Sequence, residues 1–192
     1  MQNTPWREKI LLYRLYDRDA DAFGELYDVY APRIYRYIYF KVSSSVEAED
    51  LTADVFLKTW EYVQKREDKI TSFRPFVYRL ARNVVIDHYR SRAKDSVTAS
   101  AELMARVMEP VEQSFAVNLS FRSDLETVTK GLAAIKDEYR EVILLRYIED
   151  YSIAEVAKIL EKSRGAIRVT THRALDALRE AVTNIESSTT QQ

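Results

Sequence analysis

The chain has 192 residues, of which 46% are hydrophobic, and a net charge of −1. This length suits one ordinary domain or two small ones, and the apolar content is sufficient for hydrophobic cores. The chain has no cysteine, which excludes disulfides and thiolate metal sites and suits a reducing cytoplasm.

The near-neutral charge says nothing about nucleic acid, so any evidence for it must come from local segregation of charge. With 3 glycines and 4 prolines, the chain has little material for hairpins, which favours helices joined by short polar loops. Apolar runs are too short to span a membrane, and the amino terminus lacks the order of a signal peptide. We therefore expect an all-α, cytoplasmic protein without membrane insertion.

Three helices are predicted in the first half of the chain. Apolar residues recur at helical spacing from Phe23 to Ile38, which indicates a long amphipathic helix. Three serines at 43–45 break it and offer capping hydroxyls for the next helix. This second helix has one apolar face made of Leu51, Val55, Thr59 and Val63. Pro75 is tolerated in the first turn of the third helix.

The third helix contains the stretch VYRLARNVVIDHYR, which has two distinct stripes at helical spacing. The first stripe consists of Val77, Leu80, Ala81 and Val84 and is typical of a buried face. The second stripe is basic but also holds an amide and an apolar residue: Arg79, Arg82, Asn83, Ile86 and Arg90. Spacing alone leaves open whether this second stripe is solvated surface or a binding surface.

No sustained period continues after Lys94, and we predict a linker over residues 93–124. Its length exceeds that of an ordinary loop, which favours two separate domains. Helices resume after Asp124. Ser152 and Glu155 form a capping-box pattern, and Ser163 is the expected N-cap of the last helix. Helix, tight turn and helix is the layout of a helix-turn-helix. The terminal residues 187–192 are expected to form a disordered tail.

The last helix of this motif has a basic outward face. Arg164, Arg168 and His172 recur at steps of four, and Arg173 is adjacent. A helix in a major groove needs such side chains to reach base edges and phosphates. A helical hairpin with solvated arginines explains the same spacing equally well.

Three segments resemble the sigma-70 family of transcription initiation factors. The family's carboxy-terminal promoter-binding domain is resembled by the stretch YIEDYSIAEVAKILEKSRGAIRVTTHRALDALRE. Response regulators carry a similar four-helix module. AEDLTADVFLKTW resembles its polymerase-binding segment, with Ala53 in place of the usual glutamine. SFRPFVYRLARNVVIDHYR resembles the segment that reads and opens the element upstream of the start site, with Phe76 where tryptophan is common. The matching positions in that last segment are Phe73, Tyr78, Ala81, Asn83 and Asp87.

The order of these segments, with a linker in place of a middle domain, resembles the extracytoplasmic-function (ECF) group of the family. The resemblance implies two small helical domains joined by a linker, the second a four-helix module with a helix-turn-helix. Residues 1–92 would be sigma region 2, which binds polymerase and the −10 element. Residues 125–186 would be region 4, which binds the −35 element.

The resemblance also implies partners and site residues. The chain would bind the clamp helices and flap of core RNA polymerase, and promoter DNA; an anti-sigma factor is a further candidate partner. The polymerase-binding residues would be Asp50, Leu51, Thr52, Asp54, Val55 and Phe56. The −10 DNA-binding residues would be Tyr78, Arg79, Arg82, Asn83 and Arg90, and residues 66–74 would form a loop that selects a flipped base. The −35 DNA-binding residues would be Arg164, Arg168, Val169, His172 and Arg173.

Other classes of function have less support. The two histidines, His88 and His172, fall on separate predicted domains, so no metal site is expected, and His88 is predicted to be a helix-surface residue. No phosphate-binding glycine-rich loop or catalytic arrangement is evident, so neither catalysis nor a cofactor is expected. Two alternatives remain: a DNA-binding regulator that uses only the carboxy-terminal module, and a regulatory adaptor that binds polymerase or another protein without recognising a promoter. Thr170 stands where many relatives carry arginine, and its role is open.

Overall fold

The computed structural model describes residues 5–42, 44–65, 70–95 and 128–189. These ranges consist of helices and short turns and contain no β-strand, which confirms the all-α class. Within them, every helix is too short or too polar to cross a bilayer. Residues 93–95 of the predicted linker instead end the helix Phe73–Asp95. The rest of that linker lies outside the described residues, and so do residues 66–69 of the loop expected to select a base.

The described helices form two compact units. Unit 1 consists of α1 (Pro5–Tyr16), α2 (Ala20–Val42), α3 (Ser45–Gln64) and α4 (Phe73–Asp95). Unit 2 consists of α5, described over residues 128–134, followed by α6 (Asp137–Ile143), α7 (Ile153–Ile159) and α8 (Arg164–Thr189). A π-helical turn, Leu144–Ile148, extends α6. Two small helical domains with a four-helix second member are therefore confirmed.

Helix α1 was not predicted from the sequence. It buries Leu11, Leu12 and Leu15, but Trp6, Ile10 and Tyr13 on other sides are exposed. Apolar residues all around the helix hide the period that a one-sided stripe would show.

The turn after α1 closes with paired backbone bonds. The Asp19 amide donates to the Arg14 carbonyl at 3.2 Å and the Arg18 amide to the Leu15 carbonyl at 3.0 Å, with Arg18 at a φ of 59°. This is a Schellman motif with arginine where glycine is usual. Asp19 Oδ1 then accepts from the amides of Asp21 and Ala22 at 2.9 and 3.2 Å, which caps α2.

Large aromatic side chains fill the core of unit 1. The rings of Tyr30 and Phe73 lie 5.0 Å apart, and those of Tyr37 and Tyr78 lie 5.4 Å apart. Tyr78 is fully buried, with its ring packed against α2, so this structure exposes none of its ring to DNA, and its assignment to the −10 site stays a prediction. The match to the family segment at Tyr78 reflects packing.

Two sets of contacts connect α5 to the other helices of unit 2. The Arg140 guanidinium donates to the carbonyls of Leu132, Ala133 and Ile135 at 2.7, 2.9 and 3.3 Å, which satisfies acceptors at the end of α5. Gly131 allows close approach to α8, because a Cβ there would lie 2.9 Å from Val182 Cγ2. These contacts join α5 to both α6 and α8.

The helix-turn-helix forms as the capping residues predict. Ser152 and Glu155 make the reciprocal capping box of α7, and Ser163 Oγ accepts from the Ala166 amide at 3.1 Å at the start of α8. Helix α8 continues to Thr189. The predicted disordered tail is therefore wrong for residues 187–189, and residues 190–192 lie outside the described chain.

Glu161, in the turn between α7 and α8, has a φ of 55°. A side chain in this left-handed region costs about 1 kcal/mol or more, a cost that glycine avoids. We expect Glu161→Gly to raise the free energy of unfolding of unit 2 by about 1 kcal/mol. Native-state hydrogen exchange of α7 and α8 amides measures this. Glu161→Ala removes the same carboxylate but keeps Cβ, so an equal gain in that variant would contradict the explanation.

The burial of Tyr78 generates a second prediction. Tyr78→Ala should lower the free energy of unfolding of unit 1 by about 3 to 5 kcal/mol, as expected for a large core aromatic. Asn83→Ala, on the exposed side of the same helix, should change it by no more than about 0.5 kcal/mol. Denaturant titration followed by tryptophan fluorescence reports unit 1, because both tryptophans, Trp6 and Trp60, belong to it. A small loss for Tyr78→Ala would contradict its core role.

Candidate protein and DNA interfaces

Helix α3 presents an acidic and partly apolar face on the side opposite its buried stripe. Asp50 and Glu61 are exposed and Asp54 is half-buried, while Leu57 is 56% exposed. Lys58 Nζ lies 2.8 Å from Asp54 Oδ2. This face therefore combines carboxylates with an exposed leucine, which suits contact with another protein.

The predicted polymerase-binding residues divide between this face and the core. Thr52, Val55 and Phe56 are buried, and the Thr52 hydroxyl donates to the Ala48 carbonyl at 2.6 Å. These three side chains therefore support the helix from inside, and their assignment as polymerase contacts stays a prediction. Asp50, Asp54 and the half-buried Leu51 remain accessible.

Sequence reasoning did not single out Tyr27, which falls among the apolar positions of α2. Its side chain is 44% exposed, and its ring lies 4.8 Å from that of Phe56 beneath the α3 face. Phe23 and Trp60 pack next to it with ring centroids 5.0 Å apart. Tyr27 adds an aromatic ring at the α2–α3 boundary, a type of residue common at protein interfaces. Its exposed position beside α3 follows from how α2 packs against α3, which the sequence does not show.

The outward stripe of α4 lies at the surface, as its spacing predicts. Arg79, Asn83 and Arg90 are exposed, and Arg82 and Ile86 are half-buried. Arg90 Nη1 lies 3.6 Å from Asp87 Oδ1, with both side chains largely exposed, so this surface pair is weak and readily exchanged. The stripe offers guanidinium and amide groups along one exposed side of the helix.

Contacts with α2 and α3 hold the second half of α4. The Tyr89 hydroxyl donates to the Lys41 carbonyl at 2.7 Å. Arg92 Nη1 donates to Glu47 Oε1 at 2.6 Å, and His88 Nε2 lies 3.6 Å from Glu47 Oε2. His88 was predicted as a surface residue, but it lies half-buried between the two helices. Glu47 thus orients the end of the helix that carries Arg90.

The first turns of α8 carry the predicted basic face. Ile167, Thr171 and Ala174 are buried, and the Thr171 hydroxyl donates to the Ile167 carbonyl at 2.7 Å. The opposite side is exposed throughout and carries all five predicted −35 residues: Arg164, Arg168, Val169, His172 and Arg173. Thr170 lies half-buried at the edge between the two sides.

Asp176 modifies this basic face at its far end. His172 Nδ1 lies 2.9 Å from Asp176 Oδ2, and Arg179 Nη1 lies 3.2 Å from Asp176 Oδ1. The carboxylate orients the imidazole one turn away from Arg168. The clear cationic part of the face is therefore the amino-terminal half of α8, as expected for a helix that enters a major groove by that end. No group of side chains in the described ranges has the arrangement of a metal site.

Comparison with known proteins agrees with this layout. Residues 26–95 match the family Sigma-70 region 2, and residues 125–178 match Sigma-70, region 4. The ECF RNA polymerase sigma factor BldN of Streptomyces coelicolor is 34% identical over 170 residues, which cover 88% of this chain and 63% of that protein. The ECF sigma factor SigW of Bacillus subtilis is 27% identical over 178 residues, covering 87% and 92% of the two chains.

A solved structure shows the same fold. The sigma factor RpoE from Bartonella quintana, crystallised with the anti-sigma factor NepR, superposes with a TM-score of 0.69 at 20% identity, covering 84% of this chain and 96% of that one. The region 2 match contains α3 and α4, and the region 4 match ends at residue 178, within α8. The chain belongs to the sigma-70 family of RNA polymerase sigma factors, in its ECF group.

Proposed function

We propose that this chain is a transcription initiation factor that binds core RNA polymerase in the cytoplasm and directs it to specific promoters. The observation that carries the proposal is the pairing of two unlike surfaces within unit 1. Unit 1 carries both an acidic and partly apolar face on α3 and a basic, amide-bearing stripe on α4. A regulator that bound DNA only through unit 2 would need neither surface.

The α3 face is the proposed contact with the polymerase clamp helices. Asp50 and Asp54 steer a basic partner helix, and Leu57 with Tyr27 supplies apolar area that becomes buried on binding. Unit 2 would contact the flap. An anti-sigma factor that covered the α3 face would block the same contact, and this makes such a factor a candidate inhibitor.

The α4 stripe is the proposed site for the −10 element as it opens. Separating base pairs costs a few kcal/mol per unstacked step, so the extruded bases must be captured. Asn83 can hydrogen-bond base edges, while Arg79, Arg82 and Arg90 contact phosphates or stack on bases. Ile86, half-buried within the stripe, offers an apolar contact.

The amino-terminal half of α8 is the proposed −35 reader. Arg164 and Arg168 can donate in pairs to guanine or contact phosphates, and Val169 can pack against a thymine methyl group. His172 and Arg173 extend the contact along the groove. Each unit thus reads one element, and specificity is divided between them.

In vitro transcription with sigma-free core polymerase and a promoter library tests the whole proposal. Transcripts that start at defined sites, and only when the chain is added, are the expected result. Intact DNA binding without transcripts would instead favour the regulator. Polymerase binding without promoter selection would favour the adaptor.

Arg168→Ala should weaken binding to −35 duplex DNA and reduce the slope of log affinity against log salt by about one unit for each phosphate that the side chain neutralises. The change follows from the release of fewer counterions. Fluorescence anisotropy over a salt series measures both quantities. Arg179→Ala, three turns further along α8 and paired with Asp176, is the matched control with little expected change. An unchanged affinity and slope would remove Arg168 from the interface.

Asn83→Ala should leave closed-complex binding within about twofold of wild type and slow strand opening by about tenfold, the effect of about 1.4 kcal/mol on a barrier. The amide acts on bases only after they leave the duplex. Permanganate footprinting over time follows the opened thymines, and gel shift at low temperature follows the closed complex. Footprints that develop at the wild-type rate would refute this assignment.

A further inference from the structure

Glu8 of α1 is a buried carboxylate that joins three helices. Its Oε2 accepts from the Tyr30 hydroxyl of α2 at 2.6 Å, and its Oε1 accepts from the Phe73 amide at the start of α4 at 3.1 Å. Both hydrogen bonds are buried, and Glu8 itself is 9% exposed. Burying a carboxylate is costly unless hydrogen bonds or charges replace its hydration, and these two donors contribute to that replacement.

The position of Glu8 suits the electrostatics of α4. The first amides of a helix lack internal acceptors, and the helix dipole favours negative charge beside them. The first turn of α4 contains no acidic residue of its own, so Glu8 supplies this charge from another helix. Burial and the Glu8 carboxylate raise the pKa of the Tyr30 hydroxyl well above its usual range, which keeps Tyr30 as a donor.

Helix α1 makes a second contact with the same region. The Tyr16 hydroxyl accepts a hydrogen bond from the amide of Ile70, a residue whose side chain is buried. The two α1 residues lie 65 and 54 positions away from their partners along the chain. Together they hold both ends of residues 70–73, the segment that leads into the α4 stripe.

We propose that Glu8 and Tyr16 are positioning residues for capture of the opened promoter strand. By holding residues 70–73, helix α1 sets where α4 begins and so where its Arg79, Arg82 and Asn83 stripe meets the displaced strand. This inference rests on the proposed function. It adds a role for α1, which precedes residue 26, where the match to Sigma-70 region 2 begins.

Two variants remove these hydrogen bonds with little change in shape. Glu8→Gln keeps one acceptor oxygen but presents an amide group to the other donor and removes the charge. Tyr16→Phe removes only the hydroxyl, and it tests the proposal even if Glu8→Gln folds poorly. Tyr13→Phe on the same helix is the matched control, because Tyr13 is 74% exposed.

The assay uses full-length chain with core polymerase and two probes from a promoter mapped by transcription: a labelled single strand carrying the −10 element, and a −35 duplex. Glu8→Gln and Tyr16→Phe should weaken single-strand binding by about tenfold, since a misplaced stripe binds the strand about 1.4 kcal/mol less favourably. Binding of the −35 duplex and of core polymerase should stay within about twofold. Tyr13→Phe should match wild type with both probes.

A purely structural role predicts a different pattern. Leu26→Ala removes a fully buried α2 side chain without touching these hydrogen bonds, and thermal unfolding ranks all the variants by stability. Single-strand binding that falls only in proportion to stability, Leu26→Ala included, would overturn the proposal. Wild-type binding by both α1 variants would also overturn it. Failure of the wild-type holoenzyme to bind the single strand would overturn the proposed function, and this inference with it.

Discussion

The structure of unit 1 depends on one hydrogen-bonded carboxylate in its interior. Removing a charge from water is costly unless charges or hydrogen bonds replace its hydration. For Glu8 the replacement includes the Tyr30 hydroxyl on α2 and the Phe73 amide on α4. Because both donors must meet one carboxylate, the rotation and height of three helices are mutually constrained. Apolar packing alone would tolerate small slips between them.

The faces left exposed follow from this packing. The core of unit 1 takes one side of α2, α3 and α4, and in unit 2 the core takes the Ile167 side of α8. What remains outside is the α3 carboxylates, the α4 arginines with Asn83, and the α8 arginines. Each surface is therefore set by the burial of the opposite side. The same short helices can then hold a core and carry a binding surface.

Much of this was predictable because helical faces and caps are local. The period in α4, the Ser152–Glu155 capping box and the Ser163 cap each depend on residues within one or two turns, and all three form. The helix-turn-helix and the exposed faces of α4 and α8 follow from such signals. Residue-level contacts were less predictable, because resemblance identifies a segment but does not say which side of it is buried. Tyr78 and Phe56 belong to matching segments and yet lie in the core.

The features that sequence reasoning missed come from contacts distant along the chain. The Glu47–Arg92 pair and the exposure of Tyr27 depend on how helices pair, and nothing local to either residue indicates them. Helix α1 was not predicted because its exposed Trp6, Ile10 and Tyr13 mask the period of the buried leucine stripe.

The distance of Glu8 from its partner along the chain has a consequence for synthesis. As the ribosome releases the chain, α1 emerges first, but the Phe73 amide follows 65 residues later. Until then Glu8 lacks the donor from α4, and Leu11, Leu12 and Leu15 have no complete core to enter. The hydrogen bond between Glu8 and the Phe73 amide therefore forms only when the start of α4 has left the exit tunnel, and unit 1 is complete only then. Unit 2 packs through its own contacts and folds afterwards as a second event, in the domain-by-domain order of nascent chains.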